Sequence, residues 1–384
     1  MPPPPPDGRP GGHVAATPAT TSPLFTPPTM AGADLDALTV GPTNLVTALA
    51  DRVAKVGIGS RPHTLLLGPS GVGKTHTLHV ALHRARTDSV ADHVLPVIIP
   101  EDSLAIGSYT DLLIEAARAI EPDVHREAVI LRGQRDDEGI EELLARAAGG
   151  RTILLIVENL DRVFRAIGAA GQSSLRRWTE NGSGVTVFGS SPALFEGVSS
   201  RAMPWYGSFL VERVEELSAA DIVTLVGQAA RQRGADGLHS AVTSGPGRAA
   251  VAEIRGRVGG CPRTWLVLAR ALDESTLFEV DAAVHLLLDF WVDYYQPRLW
   301  NLPAGERRLL TEIARSSHGL TVGEIADAVG ISSQSVSTGL RRLAAGRWVS
   351  SSKDVTGDRR RTVYDVADPV VREFVKFREQ TNAS

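Results

Sequence analysis

Gly68-Pro69-Ser70-Gly71-Val72-Gly73-Lys74-Thr75 sets three glycines, a lysine and a hydroxyl residue at the spacing of a loop that wraps an anion. The glycines let backbone come close to the ligand, so that successive N–H groups point inward, and the positive end of a following helix adds to the field. The pattern follows the apolar run His63–Leu67 and opens a helix-period segment, which is the strand–loop–helix context in which it holds a polyphosphate. There Lys74 reaches the β- and γ-phosphates of ATP and the Thr75 hydroxyl ligates Mg²⁺. Only four of the 40 basic residues are lysines (Lys55, Lys74, Lys353 and Lys376), which makes a lysine at this place informative.

Phosphate chemistry of this kind also needs an acidic strand end near the metal. Ile153-Leu154-Leu155-Ile156-Val157-Glu158-Asn159-Leu160-Asp161 supplies one, with Glu158 where the strand leaves the core and able to hold the Mg²⁺ water shell. Asn159 is the awkward residue, because an amide takes no proton at neutral pH and so cannot activate water. Either Glu158 or Asp161 substitutes, or hydrolysis is slow and the nucleotide serves mainly as a switch. Two weaker groupings carry little chemistry. His76, His79 and His83 share one helix face, but no carboxylate or cysteine accompanies them, and Cys261 reads as a small packing residue.

Five apolar runs of strand length would position these residues: His63–Leu67, Val94–Ile99, Thr152–Glu158, Val185–Gly189 and Phe209–Val214. The third is almost unbroken branched aliphatic, as expected of a parallel strand buried on both faces. Helix-period segments lie between them, including Thr75–Ala85, Tyr109–Ile120 and Glu138–Ala148, so the fold class is α/β with a parallel sheet. Residues 34–217 form this α/β core. Residues 218–301 read as wholly helical, beginning at a capping Ser218, and 302–384 form a third unit. Ten of the 23 prolines fall in the first 30 residues, and residues 1–33 read as a disordered Pro-rich tail.

Composition narrows the class. Apolar residues make up 43% and charged residues 22% of the 384, ordinary globular usage. Apolar runs such as Ile153–Val157 fall far below the roughly 18 residues of a membrane span, so no membrane partner is expected. One cysteine excludes an internal disulfide and fits a reducing cytoplasm.

With Gly68–Thr75, Glu158–Asp161 and Gly259-Gly260-Cys261-Pro262-Arg263 in view, residues 40–300 resemble the AAA+ P-loop ATPases, in the branch of origin-recognition-type initiators and STAND-like ATPases. The resemblance implies an AAA+ core with a helical lid. It also implies that Arg263 is the sensor-2 arginine reaching the γ-phosphate, and that Ser190 or Ser191 takes the sensor-1 place. Arg201 sits where related proteins carry a finger for a neighbouring subunit, which would make an ATP-dependent homo-oligomer the working state. A surface arginine is the competing account of Arg201.

Residues 305–367 read as a winged helix-turn-helix and resemble the MarR type. The helices are Glu306–Arg315, a second starting at the Thr321 cap, and Ser333–Ala345, followed by strands Trp348–Ser352 and Arg360–Val366 around a wing at Thr356-Gly357-Asp358. Ser333, Gln334, Ser335, Ser337 and Thr338 then occupy the exposed start of the recognition helix, where base edges are met. Residues 341–361 hold seven basic residues (Arg341, Arg342, Arg347, Lys353, Arg359, Arg360 and Arg361) against two aspartates, net +5. The chain's −4 leaves −9 for the rest, so the positive charge is local. That is the footprint of contact with the phosphates of double-stranded DNA. The resulting expectation is an ATP-binding switch or slow ATPase that couples nucleotide state to DNA binding. The alternative is a STAND-like signalling or transcriptional regulator that uses its winged helix for protein contacts, with little turnover.

Overall fold

Aliphatic runs too short for helices form five parallel strands: β1 (His63–Leu67), β2 (Val94–Ile99), β3 (Thr152–Val157), β4 (Val185–Ser191) and β5 (Phe209–Arg213), in the spatial order β2-β3-β4-β1-β5. This computed structural model describes residues 30–383 except 42, 58–62, 88–90, 102, 104, 182–183 and 354–360. The Pro-rich tail to residue 29, the wing tip Thr356-Gly357-Asp358, Arg359 and Arg360 therefore lie outside the described residues.

Both faces of the sheet are covered, which is why β3 and β4 are apolar without alternation. One face buries Leu155, Val187, Phe164 and Trp178 under the helices Tyr109–Ile120, Asp137–Ala148 and Leu160–Glu180. The other buries Leu66, Leu154 and Phe188 under Thr43–Lys55 and Lys74–Thr87. Glu158 lies in a turn one residue past β3, and β4 runs two residues beyond Gly189. Each difference follows from β4 lying between β1 and β3: Leu67 pairs with Ser191 and Val157 with Gly189. The loop after β1 and the turn after β3 thus face each other across the end of β4.

From Ser218 the chain is helical because local signals agree. Ser218 and Asp221 form a reciprocal capping box at the helix Ala219–Gln232, and Ser244 caps Gly245–Val258. The helix Pro262–Ala271 starts on a proline, whose missing N–H costs nothing at that position. The long helix Val280–Trp300 then leads to Ala304–Arg315, Val322–Val329 and Ser333–Ala345. The second of these three carries a Thr321/Glu324 capping box.

A three-stranded sheet completes that unit, with β6 (Leu320–Thr321), β7 (Val349–Lys353) and β8 (Thr362–Val366) in the order β6-β8-β7. The sequence reading missed β6, whose two residues are too few to show a period, and the closing helix Pro369–Ala383. One apolar core runs from Trp265 and Leu268 through Leu287 and Tyr295 to Leu310, Val336 and Phe374. The helical region and the C-terminal unit are packed as one piece across residue 302. Among the described residues no helix is long and apolar enough to cross a membrane.

Candidate nucleotide site and its links to the winged helix

The loop after β1 closes over its own lysine. Lys74 Nζ donates to the carbonyl oxygens of Gly68 at 2.7 Å and Pro69 at 2.8 Å, so the ammonium is held at the mouth of the loop. Burial pushes Lys74 down to about 8; Glu101 opposes the shift, while Arg347 and then Arg263 add to it. Gly71 adopts φ 83°, and a Cβ there would lie 2.9 Å from Cys261 Sγ, so this position admits glycine alone.

Cys261 packs against the loop, as its reading as a packing residue requires, and burial raises its thiol further from reactivity. The neighbouring Gly260 has a separate reason. A Cβ on it would meet the Leu217 carbonyl at 2.4 Å, while its N–H donates to Glu216 at 2.9 Å. The Gly-Gly-Cys-Pro-Arg run is thus a close crossing of two backbones that delivers Arg263 to the loop after β1.

A cavity of about 620 Å³ lies between the α/β core and the helical region. One end is apolar, lined by Leu38, Val40, Leu45, Val46, Leu225 and Leu266. The other end is polar, and Ser70 to Thr75, Glu158, Asn159, Ser190 and Arg263 converge there. An apolar slot joined to a cationic, amide-rich end is the shape a purine nucleotide fills. Thr75 and Glu158 supply hard oxygen donors at that end, the kind Mg²⁺ takes, so the residues present fit the ion.

The remaining sequence candidates separate. Ser190, rather than Ser191, faces the cavity, and its Oγ accepts from the Asn159 N–H at 3.3 Å; Ser191 turns away to the Ala193 carbonyl. Asn159 takes a left-handed conformation, φ 51°, which asparagine tolerates better than glutamate does. Its buried Nδ2 has no partner among the described residues. Asp161 is buried and does not border the cavity; its Oδ2 accepts from Arg347 at 2.9 Å. Arg201 is exposed in the turn after the short helix Glu196–Ser199, away from the cavity lining. His76 bonds to Thr39 at 3.0 Å, and burial lowers it to about 4, so it stays neutral in packing.

Two cavity residues escaped the sequence reading. Glu101 follows β2 by two residues and Arg213 ends β5, so both stand at the carboxyl edge of a parallel sheet, where ligands gather. That rule could have found them once the strand order was known.

On the winged helix, Ser333, Gln334 and Ser335 are exposed, as is Arg341. Ser337 spends its hydroxyl on the Ser333 carbonyl at 2.8 Å, and Ser335 N–H takes the Ser332 cap. Arg342 reaches Glu306 at 3.3 Å, while Arg361 is exposed beside the wing. Arg347, counted with the DNA-facing charge, turns instead to the α/β core.

Residues 300–361 match the MarR family. The Walker-type ATPase of Pyrococcus abyssi superposes with a TM-score of 0.58 at 15% identity, over 86% of this chain and 95% of that one. The ORC2 protein of Aeropyrum pernix, in ADPNP and ADP complexes, superposes at 0.59 and 14% identity, over 89% and 94%. The fold is that of an origin-recognition-type AAA+ ATPase with a MarR-type winged helix. No curated protein matches the chain in sequence.

Three contacts tie the helices between Ala219 and Trp300 to the winged-helix unit. Arg257 bridges Glu373 and Asp281, the Tyr295 hydroxyl donates to Asp368, and Pro369 lies against Gly259. Burial raises both Tyr295 and Asp368, so the pair stays protonated on the phenol and shares its hydrogen bond out of water.

Proposed function

We propose that this chain is a cytosolic, nucleotide-gated DNA-binding protein that takes ATP with Mg²⁺ in the cavity and double-stranded DNA on the winged helix. The observation that carries the coupling is the shared core of lid and winged helix. Arg263 stands on a lid helix whose neighbours are bonded to Glu373 and Asp368 of the winged-helix unit. A lid that shifts when Arg263 meets a γ-phosphate must therefore carry the recognition helix with it.

In this reading Lys74 and the loop amides hold the β- and γ-phosphates, Ser190 and Asn159 orient water beside them, and Thr75 with Glu158 hold Mg²⁺, which neutralises phosphate charge when bound. Arg201 is the residue a second copy would receive. Fluorescence anisotropy of a labelled duplex with ATP, ADP and no nucleotide tests the coupling: affinity should differ between ATP and ADP, and Arg263→Ala should erase the difference. Equal affinities in all three states would end the switch reading and favour protein contacts by the winged helix.

Turnover should be slow, well below the roughly 10 s⁻¹ typical of enzymes, because Asn159 cannot take a proton and Asp161 is engaged by Arg347. Asn159→Glu adds a base at the cost of a left-handed glutamate, about 1 kcal/mol of stability. A phosphate-release assay beside a thermal melt should show faster hydrolysis and a lower Tm. A wild-type rate in the ordinary range would assign the base to Glu158.

The lowered Lys74 gives a pH dependence. Phosphate binding favours the ammonium, so bound Lys74 titrates higher than about 8 and binding takes up a proton above that pH. Affinity for ATP should be flat below pH 8 and then fall, approaching tenfold per pH unit. Calorimetry at pH 7, 8 and 9 in two buffers of different ionisation heat reads both the fall and the proton uptake.

A further inference from the structure

The cavity crosses the carboxyl ends of the strands in their spatial order. Lys74 follows β1, Ser190 lies near the end of β4, Glu158 follows β3 and Glu101 follows β2, and all four line it. The last two stand on paired strands: Ile99 is in register with Val157, and the Glu158 N–H donates to the Ile99 carbonyl at 3.1 Å. Beyond Ile99 the chain turns over the same edge, with the Ser103 N–H closing onto the Pro100 carbonyl at 3.2 Å, and both Pro100 and Glu101 border the cavity.

Among the described residues three carboxylates line this cavity, those of Glu101, Glu158 and Glu215. Phosphoryl transfer to water needs the attacking and leaving oxygens roughly in line. The leaving oxygen belongs beside Lys74 on the β1 side, so the water lies across the γ-phosphorus, towards β3 and β2. Glu215 follows β5, three strands from β3 and on the wrong side of β1, about 14 Å away at the usual strand spacing. Asn159 cannot take the water's proton, and Asp161 does not border the cavity. With Glu158 holding the metal, Glu101 is the carboxylate left on the side from which water must come.

We propose that Glu101 is the general base for ATP hydrolysis, supplied by the strand next to the one that carries Asn159. The water oxygen bonds to the γ-phosphorus while the bond from that phosphorus to the β,γ-bridging oxygen breaks. The electron pair of the broken bond leaves on ADP, and the proton of the water passes to the Glu101 carboxylate. This rests on the nucleotide reading of the cavity and names the group behind its slow turnover. Glu101 is exposed on a turn, less firmly placed than a glutamate at position 159 would be, and a loosely held base is a slow one.

The test uses the full chain and reads both binding and chemistry. Calorimetry gives the affinities for AMPPNP and ADP with Mg²⁺, and single-turnover phosphate release gives the hydrolysis rate. Because Glu101 is exposed, Glu101→Gln should fold as the wild type does. It should slow hydrolysis by about a hundredfold or more. It should also tighten AMPPNP by about threefold or more and leave ADP within about twofold, since only a γ-phosphate lies close enough to be repelled by the carboxylate. Adding Asn159→Glu to Glu101→Gln should restore hydrolysis, because a carboxylate then faces the same water from β3.

Unchanged hydrolysis in Glu101→Gln overturns the inference. So does an equal weakening of AMPPNP and ADP, because the glutamate would then only support the site. Wild-type protein that binds both nucleotides without hydrolysing ATP overturns the inference alone. Wild-type protein that binds neither overturns the reading of the cavity with it, which separates the two failures.

Discussion

Lys74→Ala should abolish ATP binding. The ammonium is held at the loop by the Gly68 and Pro69 carbonyls, poised where β- and γ-phosphates would replace them. Each charge-assisted hydrogen bond to phosphate contributes about 1.5–3 kcal/mol, so losing two lowers affinity by at least about a hundredfold. The fold should survive. The strand β1 and the helix Lys74–Thr87 are held by Leu65, Leu66, Leu78 and Val80 rather than by the amine. Titration with a fluorescent ATP analogue, beside a circular dichroism melt, separates lost binding from lost folding. A folded variant with wild-type affinity would sink the assignment of the phosphate loop.

The second large effect is on DNA. Of the seven basic residues counted between 341 and 361, Arg342 is engaged with Glu306 and Arg347 with Asp161. Arg341 and Arg361 are exposed, and Lys353, Arg359 and Arg360 complete the set. With three or four of these reaching phosphates, log affinity should fall against log salt with a slope of roughly −3 to −4, doubling if two protomers bind together. Changing Arg359, Arg360 and Arg361 together to Ala should flatten the slope by about two to three and leave ATP binding intact. Gln334→Ala should shift sequence preference at constant slope, since an exposed amide at the head of the recognition helix reads base edges and carries no charge. Duplex affinity unchanged by the triple substitution at every salt concentration would move the protein-contact reading ahead.

Period and composition made much of this molecule legible from sequence. The strands His63–Leu67 and Val94–Ile99 and the helices Tyr109–Ile120 and Ser333–Ala345 have the ends their apolar patterns indicate. The reason is local: strands buried on both faces must be aliphatic throughout, and capping residues such as Ser332 close hydrogen bonds within one turn. The loop Gly68–Thr75 was legible for the same reason, since a single short segment supplies its glycines, its lysine and its helix start.

Tertiary structure decided what depends on residues far apart in the chain. Strand order put β4 between β1 and β3, which brought Ser190 rather than Ser191 to Asn159 and set Glu101 and Arg213 at the cavity rim. The packing reason for Gly260 shows only where the backbone at Leu217 passes against it, and that for Gly259 only where Pro369 lies on it. Arg347 shows the limit most clearly. By charge and position it belongs with the basic residues of the wing, and no local pattern marks it otherwise. Its partner Asp161 lies 186 residues away, so only the packing of the winged helix on the α/β core determines that this arginine faces a buried carboxylate.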